Sequence, residues 1–454
     1  MLRSRKRLAA LVVAAAAWMA PVTAQAELKL AEAAGWTIST DGRVNGFVSH
    51  VWGENRPEEL ANLNWVGFNE ATDQGQADAE GKLRKTRIRS GYVPSTLALN
   101  LKKTLTNGLR LAGRVEIGFQ IANQDPTWIG DPTWMEPRAV YLDVGGGWGS
   151  VRVGRDLSLF PRGNLIMNYE LGHAYGVGFP CAYEKMFGGA CGHVGFGTLW
   201  PDFKAQMVYT TPSIGDVFEL SVGIFDPRTI PTYSWTRTPL PRFEGEAVAH
   251  HNFAEGWGFK AWANGAAQQI GIGVNRTDPM NPSEVIGREA FEQTAWGAGG
   301  GATGYLGPVK AGVSGYTGRG MDGFQFLTFN PIFVGQGALT DVPPEKRRFR
   351  PTRGFLAEAS VTIGSTWVMG GFGMATFDRI SSDYPADSVS DPPLLRRQRG
   401  ISAGVFHRIE QFVIGLDYFN AYYGFDPKLD ADTMLYADYS QTVHIMNGGA
   451  TLEW

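Results

Sequence analysis

From residue 36 to residue 454, apolar side chains recur at every second position in stretches of about ten residues. Very short turns and long Gly/Pro/Asn/Asp-rich loops separate these stretches in alternation. Seven short turns imply seven hairpins, hence fourteen strands, and one more strand at each end brings the expected total to sixteen. The pattern is clearest from Ser95 to Gln120. Leu97, Leu99 and Leu101, then Leu109, Leu111, Val115, Ile117 and Phe119, fall on one face around an Asn107-Gly108 turn. Thr96, Asn100, Lys102, Arg110, Arg114 and Glu116 fall on the other. A face charged on consecutive strands is too costly to bury in a dry core. Apolar outside and polar inside is instead the pattern of strands that cross a bilayer around a wet interior.

The same alternation places the other hairpins. Val140, Leu142 and Val144 lead into Gly145–Gly147, and Val151 and Val153 lead out. Phe203, Ala205, Met207 and Tyr209 precede the turn at 212–215, and Phe218, Leu220, Val222 and Ile224 follow it. Further turns fall near 254–256, 306–308, 364–366 and 408–411, where Phe412, Ile414, Leu416 and Tyr418 point outward and Asp417 inward. The Gly- and Ala-rich stretches 247–264 and 294–317 specify their register only weakly.

At the N-terminus, Arg3, Arg5, Lys6 and Arg7 precede an apolar run from Leu8 to Met19 and a small-x-small site at Ala24-Gln25-Ala26. Residues 1–26 therefore read as a secretory signal peptide, and 27–454 as the mature chain. No later stretch is long and apolar enough for a spanning helix. Strands must then do the crossing, and only a closed barrel satisfies every backbone donor and acceptor in hydrocarbon. Removing the four leader bases leaves 37 Lys+Arg against 44 acids, a net charge of −7, which argues against a nucleic-acid partner. The 59 glycines suit many strand ends and loops, and no linker or low-complexity block divides the chain.

The stretch Arg138-Ala139-Val140-Tyr141-Leu142, a glycine turn, then Trp148-Gly149-Ser150-Val151-Arg152-Val153-Gly154-Arg155 resembles the general porins of the Gram-negative outer membrane. The opening strand Asp41-Gly42-Arg43-Val44-Asn45-Gly46-Phe47 is similar to the first porin strand. One departure is the final residue, Trp454, where porins usually have Phe. The resemblance implies an all-β, closed, antiparallel 16-stranded barrel with short periplasmic turns and long extracellular loops. It implies a homotrimer surrounded by lipid and lipopolysaccharide that passes small hydrophilic solutes and ions, with no cofactor. Roughly 45 residues, 156–201, lack strand alternation. The resemblance makes this third loop the pore constriction, folded into the lumen.

That loop carries Glu170, Glu184 and Lys185, with Asp156 and Arg162 at its start. By parity and position, Arg43, Arg114 and Arg155 are candidates for a facing basic wall, with Arg87 and Arg89 beside them. Acid opposite base would set a transverse field across the opening. Lys102, Arg110 and Glu116 are equally the charges of any water-facing strand. Arg155 shares parity with Val151 and Val153, so it reaches the lumen only if the strand has ended or a bulge turns it. Arg138 falls on the lipid row beside Pro137, where it could snorkel to headgroups.

Cys181 and Cys191, the two cysteines of the chain, both lie in this loop, and an oxidising periplasm favours a local disulfide. His173 and His193 flank them at a spacing that fits no common zinc pattern, so no metal is expected. Trp128, Trp134, Tyr233 and Trp235 could stack on sugars or simply pack loops. A passive diffusion channel is the leading reading, either general or with a preferred sugar or anion. An outer-membrane enzyme would need a Ser/His or paired-acid constellation, and none of the seven histidines makes one in the sequence. An adhesive barrel is the remaining alternative.

Overall fold

The computed structural model describes residues 27–54, 82–119, 121, 135–180, 190–229, 235–278, 280–321, 326–327, 348–380, 394–429, 436–437 and 439–454. The barrel strands are β1 (Trp36–Glu54), β2 (in two pieces, Lys82–Arg89 and Ser95–Thr104), β3 (Arg110–Phe119), β4 (Met135–Gly146) and β5 (Gly149–Leu157). After the third loop come β6 (Phe203–Thr210), β7 (Phe218–Phe225), β8 (Arg242–Ala254), β9 (Trp257–Asp278), β10 (Asn281–Leu306) and β11 (Val309–Arg319). The circuit ends with β12 (Pro351–Ile363), β13 (Thr366–Phe377), β14 (Leu395–Ile409), β15 (Phe412–Phe425) and β16 (Ser440–Glu453). Each strand pairs antiparallel with its neighbours, and β16 returns to β1 from Arg43↔Glu453 to Gly53↔Val443. Reciprocal bonds between Gly42 and Trp454, 3.0 and 3.1 Å, finish the seam. A closed ring leaves no sheet edge unpaired.

Both pieces of β2 pair with β1, and the gap between them surrounds Pro94. Asn45 bridges that gap, donating from Nδ2 to the Val93 carbonyl at 2.7 Å and accepting from the Gly91 amide at 2.9 Å. Of the Gly- and Ala-rich stretches, β10 and β11 hold continuous register from Trp296↔Arg319 to Leu306↔Val309, whereas β8 and β9 shift register once, between Asn252 and Ala254. Residues 265–293, between the two stretches read as strands, extend β9 and β10 into one tall hairpin whose pairing runs to Asp278↔Asn281. Their inward positions Gln268, Ile270 and Ile272 are buried, so alternation continues beyond the other strands.

The rows predicted to face outward do so, except at Phe203, which is buried with Arg138 over its ring. Leu97, Val115 and Leu142 are 48, 46 and 52% exposed, and Ile414 and Leu416 join the same belt. Water would leave so continuous an apolar surface uncompensated, whereas hydrocarbon suits it. The interior is less uniformly polar than the alternation suggested. Phe179 and Phe196 of the third loop pack with inward Val51, Phe419, Tyr423, Val443 and Ile445. Where the loop covers the wall, water is excluded, and those inward positions follow the rules of a soluble core.

Candidate functional site

The third loop turns inward as soon as β5 ends. A helix, α1 (Arg162–Glu170), follows Pro161 and lies against β9, β10 and β11. Proline suits the start of a helix because the missing N–H would have no intrahelical partner there. Asn164 fixes the helix, donating to Gly315 O at 3.1 Å and accepting from Trp262 Nε1 at 2.8 Å. Phe160 N donates to Glu244 Oε2 at 2.8 Å, and Arg162 pairs with Glu246. Those two carboxylates alternate on β8 as Glu244-Gly245-Glu246, a two-residue spacing by which the sequence itself marks an inward face.

Further along, the chain reaches the opposite wall. Val177 N and Gly178 N donate to Asp417 at 3.0 and 2.9 Å, and Asn447 Nδ2 donates to Gly178 O at 3.0 Å. Tyr175 donates to Glu453 Oε2 at 2.9 Å. His193 Nε2 meets Ser402 Oγ at 2.8 Å. Gly197 sits at φ +111°, and a Cβ there would lie 2.1 Å from the Phe355 carbonyl. Gly373 makes the reciprocal allowance, since its Cβ would lie 1.9 Å from Phe196 O. Glycine at both positions lets loop backbone lie directly on wall backbone.

The predicted basic wall divides three ways. Arg43 is on the inner face but 1% exposed, beneath the loop rather than bordering free solvent. Its guanidinium donates to Ala174 O at 2.7 Å and Tyr169 Oη at 2.8 Å, pairs with Glu453, and lies over the Tyr169 and Tyr175 rings. Burial pushes both phenols upward in pKa, so they serve as neutral hydrogen-bonding groups. Arg114 also faces inward, gripped by Asp41 at 2.7 and 2.9 Å and by Glu116 at 2.7 Å. Arg87 and Arg89 lie on the inward row of β2, with Arg89 fully buried.

Arg155 departs from expectation. Register is unbroken on both sides of β5, so this residue stays on the row of Val151 and Val153 and donates to Pro137 O at 2.8 Å. The inward position on β5 belongs to Arg152, which stacks 4.0 Å above the Tyr141 ring and pairs with Asp143 and Asp156. A bulge does occur next door, between Glu116 and Ile117 opposite β4. There Arg138 is buried rather than snorkelling, held 3.1 Å from Glu116 and 4.5 Å over the Phe203 ring.

Among the loop acids, Glu170 is exposed at the end of α1, 3.8 Å from Lys260 of β9. Asp156 belongs to the wall, paired with Arg152. Glu184, Lys185 and Cys181 lie outside the described residues, as do Trp128, Trp134, Tyr233 and residues 1–26. Trp235 begins a short strand, Trp235–Arg237, paired with residues 271–273. Cys191 is buried and is not a free thiol. His173 and His193, separate in sequence, come together with Glu358 of β12. Burial, reinforced by the neighbouring His173, depresses the His193 pKa well below the usual imidazole value.

The chain matches the family model described as Gram-negative porin over residues 8–442. Among solved structures, the outer membrane channel DcaP of Acinetobacter baumannii is 13% identical, with a TM-score of 0.60 over 94% of this chain and 100% of that one. An anion-selective porin from Comamonas acidovorans is 16% identical, with a TM-score of 0.54 over 92% of this chain and 100% of its own. At such identities the likeness is one of fold. No curated protein sequence matches the chain.

Proposed function

Because the chain belongs to the Gram-negative porin family, we propose that its third loop, 156–201, is the constriction of the pore and that paired charges make the pore weakly selective. The protein is an outer-membrane channel for passive diffusion of small hydrophilic solutes. What supports the constriction is one observation: a loop anchored by buried polar contacts to β8, β9 and β11 on one side and to β14, β15, β16 and β1 on the other. A segment tethered on opposite walls narrows the space between them. Weak selectivity follows from charge pairing. Arg43 with Glu453 and Arg162 with Glu246 cancel locally, whereas Arg114 between Asp41 and Glu116 and Arg152 between Asp143 and Asp156 leave only a small excess of acid. Glu170 and Lys260 remain as solvent-reaching charges of opposite sign.

In this reading a Cys181–Cys191 bridge stiffens the loop tip, in keeping with the absence of a free thiol at Cys191. Three copies assemble, as in general porins, and a leader peptide directs export. Single-channel recording in planar bilayers tests the whole: ohmic conductance, three-step closure and a small reversal potential in a salt gradient are expected. A silent bilayer would overturn it. One observation bears on an enzyme reading, the Ser402–His193 contact. His193 Nδ1, however, faces the Phe196 carbonyl rather than a carboxylate, and both side chains are buried. Absence of labelling by a fluorophosphonate at Ser402 is therefore expected.

A further inference from the structure

Three ligating side chains converge where the third loop crosses β12. His173 and His193 come from the loop and Glu358 from the strand, and one ligand atom of each lies within 4.8 Å of the others. Their side chains are 0–1% exposed. His173 Nδ1 is 3.3 Å from Glu358 Oε1, and His193 Nε2 is 4.0 Å from the same oxygen.

Hydrogen bonding leaves this group incomplete. Asn168 Nδ2 donates to Glu358 Oε1 at 2.8 Å and lies 3.1 Å from His173 Nδ1. Glu358 Oε2, buried, has no hydrogen-bond partner. An ionised carboxylate in such a place needs a cation or a fuller set of donors. His193 is already oriented as a ligand would be. Its Nδ1 stands 3.3 Å from Phe196 O, which assigns the proton to Nδ1 and leaves the Nε2 lone pair directed at Ser402 and Glu358. A backbone carbonyl behind the imidazole is the usual outer partner of a metal-bound histidine.

We propose that His173, His193 and Glu358 form a binding site for a divalent transition metal of the zinc class, which clips the third loop to the barrel wall. Two imidazoles and a carboxylate suit zinc better than magnesium or calcium, which prefer oxygen alone. Tetrahedral zinc with these donors sets ligand atoms roughly 3.3–3.5 Å apart. The His173–Glu358 edge already has that length, and the wider edges close by about 1 Å through side-chain rotation. Metal entry displaces the Asn168 amide from His173 Nδ1 while its bond to the carboxylate remains. Ser402, 2.8 Å from His193 Nε2, stands beside the fourth position, to be filled by its hydroxyl or by water. The site holds the loop whichever solute passes.

The test uses full-length protein folded in the outer membrane and extracted in detergent. Stripped with a chelator and titrated with zinc ions, the wild type should take up about one ion per chain. X-ray absorption at the zinc edge should show nitrogen and oxygen neighbours without sulfur. The thermal midpoint should fall on stripping and recover with zinc. Glu358→Gln and His193→Gln should each lose the stoichiometric ion. A stripped wild type that takes up none would overturn the proposal without reference to any variant. Stoichiometric zinc retained by both variants would do so equally, by placing the ion elsewhere.

Discussion

Arg43 shows how one side chain serves a pore without lining it. Fully buried, it joins β1 to the loop carbonyl of Ala174 and to Glu453 of the closing strand. Removing one member of such a buried pair strands the other and typically costs about 3–5 kcal/mol. Arg43→Ala should therefore lower the thermal midpoint and raise open-channel noise. Arg43→Lys should restore charge but not quiet the channel, because an ammonium cannot reproduce the planar fork that spans these acceptors. Glu170 is the contrasting case. Exposed and only loosely paired, it contributes little to stability, and in the proposed constriction its charge would meet passing ions. Glu170→Lys should shift the reversal potential toward anion preference by several millivolts, with an unchanged melting temperature. No shift in a salt gradient would remove Glu170 from the ion path.

At the scale of elements, the loop sits where glycine allows it. Gly373 on β13 leaves room for the Phe196 carbonyl, and Gly197 for that of Phe355. Gly373→Ala places a methyl group where backbone now lies, so either strand or loop must move. We expect larger conductance and faster protease cleavage within 156–201, while the barrel keeps its strand content by circular dichroism. Reduction should act in the same direction on the loop tip if Cys181 and Cys191 are bridged, and peptide mass spectrometry with and without reductant reads that bridge directly.

For the whole molecule, closure is the main structural event. β16 meets β1 from Arg43 to Gly53, and Trp454 adds two backbone bonds to Gly42 at the end of the seam. Deleting Glu453 and Trp454 removes those bonds and the partner of Arg43 together. The truncated chain should assemble slowly and show a reduced heat-resistant band on gels. Without detergent or lipid the intact barrel should aggregate, because its Leu- and Val-lined belt has nothing else to cover it.

Strand number, barrel closure and the outward rows were legible from residue alternation, because a two-residue period directly records which side of a sheet each residue faces. Leu97, Leu99, Leu101 and Val115 face outward as their spacing requires, and Asp417 faces inward. Arg155 was resolved by the same parity: where the local motif and alternation disagreed, unbroken register decided for alternation. Three other features depended on the tertiary structure. The burial of Arg138 rests on a bulge, one unpaired residue that leaves no mark on a single chain. The burial of Arg43 and the apolar patches within the barrel depend on where the third loop lands, and that loop has no period to read. The meeting of His173 and His193 with Glu358 spans more than 160 positions, so folding alone brings them within reach of one ion. Local alternation encodes which residues meet lipid, whereas contacts across the lumen exist only once the ring has closed.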